Sequence, residues 1–188
     1  MSVLSDVEIR RLLNSAEMSF SPPLDDKQIQ PASIDLRLGN QFKLMRPTNE
    51  PIDSRKGLQD DETTYQTYNV PDGVPFEVPP MTFVLATTKD YMALPADVGG
   101  TIHGRSSVGR MGLFTENAGW VDPGFEGEIT LELFNASPRS ILIYPGDRMC
   151  QIELARTDQI PADPYDGKYQ GQTGATISEF HKDFTKGE

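Results

Sequence analysis

Glu128-Ile129-Thr130-Leu131-Glu132-Leu133 alternates polar and apolar residues without a break. Period-two patterning is the mark of a strand with one buried face. Ile129, Leu131 and Leu133 share one side; Glu128, Thr130, Glu132 and Phe134 share the other. Glu132 thus stands between Thr130 and Phe134, in a half-apolar neighbourhood. Two readings stay open from this stretch alone. Glu132 either solvates a water-facing sheet, or its proton affinity is raised and it serves as a base and then an acid.

Working outward, the same β character recurs. Ser33-Ile34-Asp35-Leu36-Arg37-Leu38 alternates and stops at Gly39-Asn40, a turn signal. Thr82–Thr87, Ser140–Tyr144 and Asp147–Leu154 read as further strands. Ser5 and Glu8 are spaced as a capping box. Ile9, Leu12 and Leu13 follow at helical spacing, which predicts a helix over 5–14. Six prolines between 46 and 80 predict a long excursion with one short strand. Residues 165–188 are polar and glycine-containing, and predict a flexible lid, mobile unless it packs on something. Many short strands with one helix argue for a single mainly β domain over 1–188, a barrel or double-sheet sandwich.

Composition excludes several functions. The chain has 188 residues and a net charge of -11, with no basic footprint for a nucleic acid partner. No apolar run reaches the roughly 20 residues that cross a membrane. Met1–Asp6 lacks the pattern of a signal peptide, so a cytoplasmic location is expected. One cysteine and two histidines exclude a zinc site built on several such ligands. They also exclude the His-x-Glu and Pro-Cys-x-x-Cys arrangement of zinc-dependent deaminases.

Three further segments could carry chemistry. Gly104-Arg105-Ser106-Ser107-Val108-Gly109-Arg110 offers hydroxyls and guanidiniums that suit phosphate oxygens, or a loop with two surface arginines. A short helix starting near Ser106 would add free N–H groups. Ala118-Gly119-Trp120-Val121-Asp122-Pro123-Gly124-Phe125 reads as a hairpin loop. Its backbone could read a pyrimidine edge, and an aromatic under the sugar would select deoxyribose; the alternative is a tight turn with Phe125 in the core. Lys168-Tyr169-Gln170-Gly171-Gln172 suits a lid closing over phosphates, or a disordered tail.

Taken together, these segments resemble the dCTP deaminase family of the dUTPase-like superfamily. Leu4–Arg10, Gln30–Gly39, Gly104–Ser107, Ala118–Phe125, Ile129–Glu132 and Lys168–Gln170 carry the resemblance, in order, over most of the chain. It implies a distorted β-barrel that assembles as a homotrimer with sites at subunit interfaces. It implies deamination of dCTP to dUTP without zinc, with magnesium accompanying the triphosphate, and ligands of the dCTP, dUTP and dTTP type. By similarity Glu132 shuttles protons, and Ser106 positions the water and binds phosphate beside Ser107. Arg105 and Arg110 face phosphates or order the site across the subunit boundary. Ala118 and Val121 frame the base beside Trp120, Asp122 holds the sugar hydroxyl, and Phe125 packs on the deoxyribose. Tyr165, Lys168 and Gln172 close over the triphosphate. The chain departs from the family at Met111–Asn117, one residue shorter than expected, without histidine, and with Asn117 in place of threonine.

Two relatives of this reading differ in product. A dUTP diphosphatase would use Asp122 to activate water at phosphate, but that branch normally carries an apolar residue at the position of Glu132. A bifunctional enzyme would do both and give dUMP; Ala118-Gly119-Trp120 resembles that branch. An inactive nucleotide-binding protein would not be expected to keep Glu132, Asp122, Ser106 and Arg110 together.

Overall fold

The computed structural model describes residues 2–116 and 119–184. The strands are β1 (Ser2–Val3), β2 (Ser19–Ser21), β3 (Ile29–Gln30), β4 (Ser33–Met45), β5 (Tyr65–Asn69), β6 (Phe76–Val78), β7 (Phe83–Thr88), β8 (Tyr91–Ala93), β9 (Val98–Gly104), β10 (Leu113–Glu116), β11 (Trp120–Val121), β12 (Glu126–Gly127), β13 (Thr130–Asn135), β14 (Ile141–Ile143) and β15 (Arg148–Arg156). Helix α1 covers Asp6–Asn14 and the one-turn α2 covers Ser106–Gly109.

The alternation at Glu132 is a strand, as expected. Leu131, Leu133 and Asn135 of β13 are buried, while Thr130, Glu132 and Phe134 are half-buried. β13 lies between β10 and β7 in a sheet ordered β10-β13-β7-β4-β15-β9-β11. β1 adds to β15, and β3 and β5 add to β4. This sheet curls into a half-barrel. Two small sheets, β12-β8-β2 and β14-β6, complete the mainly β fold. The main core contains Ile34, Leu36, Leu38 and Phe42 of β4, Ile152 and Leu154 of β15 and Ile9 and Leu12 of α1, and a smaller cluster gathers Tyr65, Leu85 and Ala175. Burial of apolar surface on this scale is the main stabilising term.

Three local expectations differ from the structure. Gly39-Asn40 does not turn the chain; β4 runs through it with a register shift between Leu38 and Phe42. A Cβ at Gly39 would sit 2.5 Å from the Thr87 side chain, so glycine here permits close strand approach. Ser5 makes no side-chain cap on α1. Glu8, its expected capping partner, instead accepts hydrogen bonds from Arg11 and from Arg156, 148 residues away. These guanidiniums hold the Glu8 carboxyl at about 2. The 46–80 excursion carries two strands rather than one, because β5 pairs with β4 and β6 with β14. Phe76 supplies the reason: its ring stacks on Phe42 at 4.1 Å, pulling a proline-rich segment into the core.

Candidate active site

One cavity of about 410 Å³ collects most of the residues singled out in the sequence. Glu132, Trp120, Val121, Asp122, Phe125, Tyr165 and Gln172 all line it. Among its described lining residues there is no lysine, arginine or histidine.

Local sequence explains each wall. β11 pairs with β9 through Trp120↔Thr101 and Val121↔Gly100, which buries Val121 and leaves Trp120 half-open. The chain then turns at Asp122-Pro123-Gly124-Phe125. The Phe125 N–H donates to the Asp122 carbonyl at 3.2 Å and Gly124 adopts φ +84°. Proline second and glycine third is the requirement of a type II turn. The turn drives Phe125 into the floor, where its ring lies 5.9 Å from that of Tyr165. The Trp120 Nε1–H donates to the Asp122 carboxylate at 2.8 Å, so the indole fixes where that carboxylate points.

Glu132 approaches from the sheet. Its strand neighbours are Leu85 on β7 and Glu116 on β10. Its proton affinity is raised, first by burial and then by the charge of Glu116. Glu132 is thus a half-buried carboxylate that lines the cavity. Glu116 carries no local signal in the sequence, because its place beside Glu132 depends on a strand pairing. Thr130, Tyr65, Phe83 and Tyr169 are further lining residues of this kind.

The Arg105–Arg110 loop lies elsewhere. α2 begins at Ser106, as expected. Ser106, Ser107 and Arg110 are exposed. Arg105 and Ser106 line a separate cleft with Phe114 and Glu116. Arg105 is turned inward: it donates to the Arg148 carbonyl at 2.7 Å and pairs with buried Asp35 at 3.4 Å. Burial raises the proton affinity of Asp35, opposed by Arg105 and Arg148. Arg105 therefore fastens β4 to β15 through that pair. Ala118 falls outside the described residues.

The C-terminal segment, expected as a lid, is strapped across the cavity. Glu128 N–H donates to the Gln172 carbonyl at 2.9 Å, and the Gln172 side chain donates back to the Glu128 carbonyl at 2.7 Å. Gln170 bonds both the Gly124 carbonyl and the Glu126 N–H at 3.0 Å. The Thr130 and Thr176 hydroxyls meet at 2.7 Å. Lys168, expected over phosphates, is instead paired with Asp183 at 2.7 Å. Residues 165–184 thus pack as a wall, because the polar strand edge around Gly127 needs partners that the tail supplies.

Known proteins match the chain closely. The dCTP deaminase-like family model matches residues 3–157. A protein of Persephonella marina named dCTP deaminase, dUMP-forming, is 47% identical over 96% of this chain and 98% of its own length. Its namesake in Aquifex aeolicus is 46% identical over 96% of both, and one in Methanosphaera stadtmanae is 40% identical over 98% and 96%. The crystal structure of 2'-deoxycytidine 5'-triphosphate deaminase from Agrobacterium tumefaciens superposes with a TM-score of 0.62 at 26% identity. That match covers 82% of this chain and 48% of that one, so the chain spans about half its length.

Proposed function

The chain belongs to the dCTP deaminase-like family, and from that premise we propose that it converts dCTP to dUMP by deaminating the base and hydrolysing the triphosphate. The observation that carries this is a single cavity lined by both Glu132 and Asp122, floored by Phe125. The expectation of dUTP as the released product gives way to dUMP, since full-length relatives at 40%, 46% and 47% identity are named dUMP-forming.

At the base, Glu132 takes a proton from water as the water oxygen adds to C4 of cytosine. Glu132 passes that proton to N3, then takes the proton of the new C4 hydroxyl and gives it to the amino group, which leaves as ammonia while the added oxygen stays as the uracil carbonyl. A half-buried carboxylate suits this exchange, because its proton affinity lies nearer neutral pH than that of one in water. Phe125 packs under the deoxyribose and leaves little room for a 2′-hydroxyl. Asp122 holds the sugar hydroxyl, and then activates a second water at phosphorus, which separates dUMP from diphosphate.

The triphosphate needs cations that the cavity's described lining does not contain. Ser106, Ser107 and Arg110 are exposed and do not line that cavity. This supports a homotrimer in which the loop of one copy completes the cavity of the next. Among the described residues no cluster of three His, Cys, Asp or Glu side chains could hold an ion. Magnesium, carried on the triphosphate oxygens, would neutralise charge there.

Incubation with dCTP and magnesium, followed by separation of products, tests the reading. Ammonia, dUMP and diphosphate are the expected products. Accumulation of dUTP with no dUMP would restrict the enzyme to deamination. Hydrolysis of dUTP without turnover of dCTP would overturn the assignment.

A further inference from the structure

β10 was silent in the sequence, yet it sets a second carboxylate beside Glu132. Antiparallel pairing makes Glu116 the direct cross-strand partner of Glu132. Directly opposed residues point to the same side of a sheet, with Cβ atoms about 5 Å apart. The next pair along confirms the phase: Phe114 opposes Phe134, and Phe134 opposes Phe83, giving an aromatic row next to the carboxylate row. Like charges directly opposed destabilise a sheet. Glu116, exposed at the end of β10, also lines the cleft that contains Arg105 and Ser106.

We propose that Glu116 is a positioning residue for deamination, set across the β10–β13 ladder so that Glu132 keeps the proton it takes from water long enough to deliver it to the cytosine ring. This rests on the deaminase reading above and adds to it a residue that acts through Glu132 rather than on substrate. The other titratable groups on the cavity wall are Asp122 from the turn after β11, Tyr65 from β5, and Tyr165 and Tyr169 from the tail. From β7 the opposed residue is Leu85, which adds no charge. Glu116 is therefore the acidic group adjoining Glu132 on the sheet itself. The raised proton affinity of Glu132 has burial as its first cause and Glu116 as its second, in agreement with the register.

The test is the pH profile of ammonia release from dCTP, with dUMP followed in parallel. In Glu116→Gln the acidic limb of kcat should move to lower pH by roughly half a unit to two units, the range for a neighbouring charge at this spacing. KM for dCTP should change less than about twofold, since no substrate contact is removed. Glu116→Asp should keep the limb of the parent enzyme. A purely structural loss would lower kcat at every pH and leave the limb in place. A Glu116→Gln profile superimposable on the parent would overturn the proposal, as would Glu116→Asp moving the limb as far as Glu116→Gln. Glu132→Gln separates the two levels: if it still releases ammonia, the deaminase reading fails first and this role with it.

Discussion

The base cavity and the Arg105–Arg110 loop are the two most chemically suggestive regions of the chain, and they are built to different degrees. The cavity is walled by one protomer: sheet, turn and tail each contribute, and two carboxylates face it. The loop is exposed, lines a separate cleft, and has one of its two arginines committed to Asp35. A nucleotide has two unlike ends, an uncharged base and a polyanion. Under the proposed function, one copy of the chain would recognise the first and a neighbouring copy would help with the second.

The sharpest test at the cavity is Glu132→Gln. Deamination should fall by roughly 10²–10⁴-fold while nucleotide binding persists, read as ammonia release against ligand titration. Normal turnover would remove Glu132 from the chemistry. The division between the regions is broken or sharpened by mixing subunits. Glu132→Gln and Arg110→Ala should each be inactive alone, whereas co-assembled subunits should regain roughly a quarter of the parental rate if each site draws on two neighbours. No recovery from verified mixed oligomers would mean that both halves serve from one chain.

Smaller effects probe the cavity from within. Trp120→Phe keeps the ring but loses the N–H that holds Asp122. Conversion of dUTP to dUMP should slow by roughly threefold to tenfold, more than ammonia release does, so dUTP appears among the products. An unchanged product ratio would free Asp122 from the indole.

Stability should move with opposite signs at two glutamates. Glu132 binds its proton more tightly in the fold than in the unfolded chain, whose ordinary value is 4.5. Its contribution to stability is therefore greatest below that value and declines as pH rises through the window above it. At pH 7 Glu132→Gln should raise the melting temperature, by roughly 2 °C. Glu8 is the reverse case, held at about 2 by Arg11 and Arg156. Its stabilisation is present above 4.5 and is lost as pH falls towards 2, so Glu8→Gln should flatten the acid side of the stability curve. Thermal melts across pH check both signs.

The sequence was legible where one face of an element decides its pattern. β13 alternates because the sheet buries one of its sides, and the turn at Asp122 declares itself through Pro123-Gly124. It was less legible where long-range pairing overrides local chemistry. Glu8 has the spacing of a cap but is recruited by Arg156 from the far end of the chain. Gly39-Asn40 has turn residues, yet β4 runs through them, paired with β7 at Leu38 on one side and Phe42 on the other. Tyr65 and Phe76 are ordinary aromatics in a proline-rich stretch until β4 pairs beside them. Glu116 illustrates the limit: its meaning lies wholly in which residue it faces. Lys168 illustrates another, since its partner Asp183 lies fifteen residues on and is brought to it only by the path of the tail.

Cys150 has a practical consequence. It is the chain's one cysteine, it is fully buried on β15, and burial pushes its thiol well above the ordinary range. Thiolate is the reactive form, so the folded protein should be inert towards maleimides and disulfides. Any cysteine introduced at an exposed position, such as Ile160 beside the tail, would then be the sole reactive handle. A fluorophore or spin label could be attached there without altering the rest of the molecule, and movement of the strap over the cavity could be followed directly.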